Sequence, residues 1–135
     1  MFTSKWRVRL HPHLGTIHVP MIDLEFQDQQ GSFVPFSLCV DSGAVVSFLP
    51  NSATQYLGLD PASGRPILLG GVGLHGLKAR LYEIPARLAG LPTVSIPVAI
   101  AEVDNVPALL GRLGFFDRFE ITFDPTARET RIDLR

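Results

Sequence analysis

Three groups of residues in this sequence carry the side chains or backbone that chemistry could use. The first is Val40-Asp41-Ser42-Gly43-Ala44, a carboxylate followed at once by a hydroxyl and a glycine. A carboxylate so placed can exchange protons with a bound reactant or close an Asx turn on its own backbone. The second is Gly71-Val72-Gly73-Leu74-His75-Gly76, which fits the G-x-G-x-x-G pattern of a pyrophosphate cradle. The third is the set His11, His13 and His18, residues of the type that bind metals.

Context separates them. The cradle needs a strand before it and a helix after it. Residues 67–69 could serve as the strand, but the segment that follows alternates as strands do and soon meets Pro85, which would stop a helix. No acidic residue lies about 20 positions further on, where a ribose would need one. His11 and His13 flank a proline and have no cysteine or carboxylate cluster beside them, so they are expected as solvated loop residues with no metal. Ser42 has no placed histidine–carboxylate pair to activate it as a nucleophile. Cys39, the single cysteine, lies in the apolar run 36–40 and is expected as a small buried hydrophobe.

The elements that must position Asp41 are short. Eleven prolines and twelve glycines cut the chain into pieces of strand length. Residues 21–26 alternate apolar with polar, and a Gly31-Ser32 turn leads into the β-rich run 33–40 that ends at Asp41. Further strands are expected at 44–49, 66–69, 77–81 and 93–101, with Pro97 at an edge or bulge. Segments 120–124 and 130–134 close the chain around a turn at Pro125. Two helices are expected: a short one over 51–57 capped by Asn51 or Ser52, and one within 108–119, where Phe115, Phe116 and Phe119 have core spacing.

Composition bounds the partners. A chain of 135 residues, 46% hydrophobic and 19% charged, is expected to fold as one domain. The mean hydropathy of +0.23 is high for so small a domain and suggests apolar surface covered by a second copy. A net charge of -1 without a Lys/Arg block argues against nucleic acid or an anionic membrane. No apolar run reaches the roughly 18 residues of a membrane helix, and no signal-peptide pattern is seen, so a cytoplasmic setting is expected.

With Asp41-Ser42-Gly43-Ala44, the glycine cluster 70–76 and Leu109-Leu110-Gly111 in that order, residues 20–135 resemble the retropepsin-like aspartic proteases, the single-domain relatives of pepsin. Residues 1–19 carry none of the likeness and are read as an extension or first strand. The resemblance implies an all-β, closed barrel-like fold, a glycine-rich flap hairpin and one short C-terminal helix. It implies that Asp41 is catalytic and that Ser42, Gly43 and Ala44 complete its loop, with the Ser42 hydroxyl bonding the partner's loop. Gly71, Val72, Gly73 and Leu74 would form the flap over the substrate, with His75 an exposed turn residue beside them. Leu109, Leu110 and Gly111 would support the loop from below, and Ser47 matches a small polar position of the family.

No cofactor is implied. One carboxylate near its reference pKa of about 3.9 is a poor acid at neutral pH, whereas two held together share a proton. No second Asp-Ser/Thr-Gly exists in the chain, so the resemblance implies a homodimer with Asp41 contributed twice. Residues 131–134 would interleave with the partner's termini, and the ligand would be an extended peptide. Val45 departs from the viral pattern, which has an acidic residue there. The competing reading is a non-catalytic dimerisation or peptide-binding module of the same fold. A nucleotide-binding domain stands third, on the glycine motif alone.

Overall fold

A computed structural model describes residues 1–71 and 74–135. Its strands are β1 (Phe2–Lys5), β2 (Arg7–His11), β3 (Gly15–Val19), β4 (Met21–Gln27), β5 (Phe33–Val40) and β6 (Ser47–Leu49). They continue with β7 (Arg65–Gly71), β8 (Leu74–Arg87), β9 (Val94–Ala101), β10 (Leu109–Leu110), β11 (Phe119–Asp124) and β12 (Glu129–Leu134). One short helix, α1 (Ser52–Tyr56), follows β6.

The main sheet has the order β4-β5-β10-β6-β9-β8-β7, and β4 also pairs with β8 through Glu25↔Arg87 and Phe26↔Ala86. The hydrogen-bonded path from β4 therefore returns to β4. Alternation drives the burial. In β4, Ile22, Leu24 and Phe26 are fully buried while Asp23 between them faces out. From Ile96 onward β9 is apolar on both faces. Val94, Ile96, Val98 and Ile100 enter the main core, while Ala99 and Ala101 pack with Phe48 and Ala79 in a smaller cluster. Pro97 lies just ahead of Val98, where the β6 pairing begins, so only β8 borders it there.

Two expectations about helices change. The short helix forms, but neither Asn51 nor Ser52 caps it by side chain; the Ser52 N–H instead donates to Asp104 Oδ1 at 2.8 Å. Residues 108–119 are not a helix. Leu109–Leu110 form β10, and tight turns follow, with Phe116 N–H donating to Arg112 O and Phe119 N–H to Phe115 O. Gly114 has φ +76°, which no continuing right-handed helix accommodates. Phe115 and Phe119 are nonetheless in the core, with ring centroids 4.7 Å apart.

The expectation for the terminal strands changes too. β12 is the middle strand of the sheet β1-β12-β11, with Phe2↔Ile132 on one side and Ile121↔Ile132 on the other. Both edges of residues 129–132 are taken by the same chain, so interleaving with a partner along them would first require β1 or β11 to leave. Thr130, fully buried, accepts the Trp6 indole N–H at 2.9 Å and fixes the β1–β2 junction to β12.

The outer face of this sheet holds charges. The Ala127 amide and then the Arg131 guanidinium hold Asp124 below its ordinary value, and Arg131 and then Lys5 do the same for Glu129. A carboxylate depressed by folding contributes stability above its unfolded pKa, and that contribution is lost as pH falls through the folded value. Melting temperature should therefore drop on acidification below about pH 4, and Arg131→Met should flatten that drop. An unchanged acid limb in Arg131→Met would show that these pairs do not matter.

Candidate active site

Asp41 follows β5 at the point where the sheet lets go of the chain. Its N–H donates to Leu110 O at 2.9 Å, the last rung before the backbone turns away. The carboxylate then accepts the Gly43 N–H on Oδ1 at 2.8 Å, and the Ala44 N–H donates to Asp41 O at 3.2 Å. This is an Asx-type turn, which presents Ser42 and Gly43 to solvent and leaves Asp41 partly exposed. Among the described residues no ion pair includes Asp41.

β10 explains the rigidity beneath. It is inserted between β5, which it parallels, and β6, which it opposes, so Leu109 pairs with both Cys39 and Phe48. Leu110 is fully buried and Leu109 half-buried. Gly111 sits where any side chain would collide with backbone: a Cβ there would lie 2.4 Å from Val46 C and 2.5 Å from Val46 O. Its N–H donates to the Oγ of Ser47 at 3.0 Å, and Ser47 is fully buried. The next two amides continue the contact, Arg112 N–H to Ala44 O and Leu113 N–H to Val45 O. Residues 44–47 and 111–113, distant in sequence, are thus fastened together by two backbone bonds and the Ser47 hydroxyl.

Beside the loop is an apolar cleft of about 350 Å³ lined by Gly43, Ala44, Val46, Phe48, Leu69 and Leu77, among others. The lining joins the Asp41 loop to the β7–β8 hairpin, in which Leu69 pairs with Leu77 and Gly71 with Leu74. Val72 and Gly73, expected at the hairpin tip, lie outside the described residues. A second hollow of similar size, about 330 Å³ and lined by Asn51, Arg80, Tyr82 and Ile100 among others, shares no residue with the loop. The apolar cleft reaches the Asp41 loop through Gly43 and Ala44, and Asp41 itself is not among its lining residues.

His11 and His13 lie near each other, ring centroids 6.0 Å apart, while His18 has a different partner. His11 Nδ1 accepts the His13 and Leu14 amides in the β2–β3 turn, and His18 Nε2 faces Arg128 at 2.9 Å. Among the described residues no group of three His, Cys, Asp or Glu could hold a metal ion. Cys39 is half-buried rather than fully buried. Burial, and then the Asp41 charge, push its thiol up, which keeps it protonated and unreactive at neutral pH.

One residue that sequence reasoning did not single out is Arg112, whose Nη1 donates to Ser42 O at 2.7 Å. Nothing in its periodicity marks it; only its position directly after Leu-Leu-Gly could have.

A known structure supports the fold at a coarse level. EIAV protease, solved in complex with the inhibitor HBY-793, matches with a TM-score of 0.52 and 21% identity, over 70% of this chain and 82% of that one. The fold is retropepsin-like. Neither a family model nor a curated protein matches the chain. Among the described residues no helix is long and apolar enough to cross a membrane.

Proposed function

We propose that the chain is one half of a homodimeric aspartic endopeptidase in which two copies of Asp41 activate a water against a peptide bond. The observation that carries this reading is the Asp41 carboxylate itself. It is held on a solvent-facing turn whose Gly43 and Ala44 line an apolar cleft, with no ion-pair partner among the described residues. A carboxylate supplied alone is an incomplete acid–base device, and a second copy across a two-fold axis completes it. Sharing one proton, one carboxylate takes a proton from the water while the other donates to the scissile carbonyl oxygen.

Ser42, exposed at the turn, is available to bond the partner's loop, and Gly43 leaves room for that approach. The return of the main sheet from β8 to β4 supports a barrel-like closure. The β7–β8 hairpin, with Gly71, Val72, Gly73 and Leu74 at its end, is assigned as the flap. An extended peptide lies between flap and loop, adding backbone hydrogen bonds as an extra strand does. The apolar cleft favours a hydrophobic side chain next to the cleaved bond.

The second reading, a non-catalytic peptide-binding or dimerisation module, is favoured by one specific contact. Asp41 Oδ1 already serves its own turn by accepting the Gly43 N–H, which would account for an aspartate without catalysis. Cleavage of a diverse peptide library between about pH 4 and 7 separates the two. The endopeptidase should cut, with preference for apolar residues at the bond, and its activity per chain should fall on dilution. Constant activity per chain far below the dimer dissociation constant would reject the shared site, and no cutting by a dimeric protein would favour the module.

A further inference from the structure

The two ends of one peptide bond connect Arg112 to Asp41. The carbonyl of Ser42 accepts Arg112 Nη1 at 2.7 Å, and the N–H of the following residue, Gly43, donates to Asp41 Oδ1 at 2.8 Å. The C=O and N–H of a peptide unit are coplanar and point in opposite directions. A donor fixed on one therefore fixes the direction of the other. A cation on the carbonyl also draws electron density from the amide and strengthens its N–H as a donor, the ordinary polarisation of chained hydrogen bonds.

We propose that Arg112 is a positioning residue that holds Asp41 through the Ser42–Gly43 peptide, keeping the Gly43 N–H aimed at the carboxylate. Turns that contain glycine can exchange one peptide orientation for another because glycine meets little steric resistance on either side of φ = 0. The backbone anchors at Arg112, Leu113 and Gly111 grip residues 44, 45 and 47, and leave the 42–43 peptide itself unheld. The guanidinium is the contact that holds it. Among the described residues no carboxylate pairs with Arg112, so its charge is directed at the loop rather than spent in an ion pair. The catalytic consequence rests on the endopeptidase reading; the conformational one does not.

Amide NMR of the whole protein tests it with Arg112→Leu and Arg112→Lys. In Arg112→Leu the Gly43 amide proton should move upfield and exchange about ten- to a hundredfold faster, as loss of a charge-assisted bond implies. Arg112→Lys, which keeps a cationic donor, should restore most of both. With a cleaved peptide in hand, kcat should fall in Arg112→Leu by on the order of tenfold to a hundredfold, with KM little changed. The side chain is exposed, so the variant should fold, and the unperturbed amides of the Leu113 and Ser47 contacts report that it has. An unmoved Gly43 signal overturns the role of Arg112 whatever the activity. A moved signal with unchanged kcat overturns its part in catalysis. Absence of cleavage by wild type rejects the endopeptidase instead, while the Gly43 result still decides the loop.

Discussion

Asp41→Asn should abolish the proposed peptide cleavage, by at least about a thousandfold, while leaving the fold and the proposed dimer intact. The amide oxygen can still accept the Gly43 N–H at the distance Oδ1 now occupies, so the turn should survive. What is lost is chemical. Two asparagines facing each other have no proton to share and no base to take one from water. The measurement is cleavage of a substrate found with the wild-type protein, with melting temperature and sedimentation recorded on the same samples. Full activity in a folded Asp41→Asn dimer would remove Asp41 from the mechanism. Inactivity accompanied by unfolding would instead mark it as a turn residue.

The second large effect is expected at Gly111, and it is mechanical. Gly111→Ala would drive a methyl to within 2.4–2.5 Å of the Val46 carbonyl group and 2.9 Å of the Ser47 nitrogen. Backbone cannot rotate away as a side-chain end can, so β10 and the Asp41 loop must separate. Overpacking of this kind costs about 1–3 kcal/mol, and the upper end is expected because both obstacles are main chain. Denaturant unfolding should show that loss, and activity should fall further than stability alone explains, because the Leu110 O that receives the Asp41 N–H moves with the strand. The control is Gly43→Ala, whose methyl meets only Asp41 Oδ1 at 3.2 Å and should be far milder for stability. Equal stabilities of Gly111→Ala and wild type would mean the close approach is not maintained in solution.

Much of this architecture can be read before folding. The strand at β4 is written in its alternation, and β5 in a β-rich run that stops at a turn-forming Asp-Ser-Gly. The order of that turn, the glycine cluster and Leu-Leu-Gly pointed to a retropepsin-like sheet, which the likeness to EIAV protease supports at the level of fold. What the sequence hid was decided by tertiary contacts. Residues 108–119 have helix-like apolar spacing, yet pairing with β5 and β6 draws Leu109 and Leu110 into a strand, and Gly114 turns the chain the other way. Asp104 caps α1 from 52 residues away, beyond the reach of any local capping rule. Arg112 was invisible for a similar reason: a charged residue after a turn looks solvated until the carbonyl it meets, 70 residues earlier in the chain, is known.

The pairing of β1 with β12 has a consequence for biosynthesis. Phe2 meets Ile132, so β1 waits for about 130 further residues to be synthesised before its hydrogen-bonding neighbour exists. At translation rates of about 5–20 residues per second that interval is on the order of ten seconds. Throughout it β1 is a strand without a sheet, Phe2 has no core, and the Trp6 indole has no Thr130 to receive it. A β1 left waiting can instead pair with the β12 of a chain already completed, exchanging strands between protomers. The spacing of ribosomes on a message, and any chaperone that shields β1, would then decide how often protomers emerge self-closed and how often they emerge with exchanged strands.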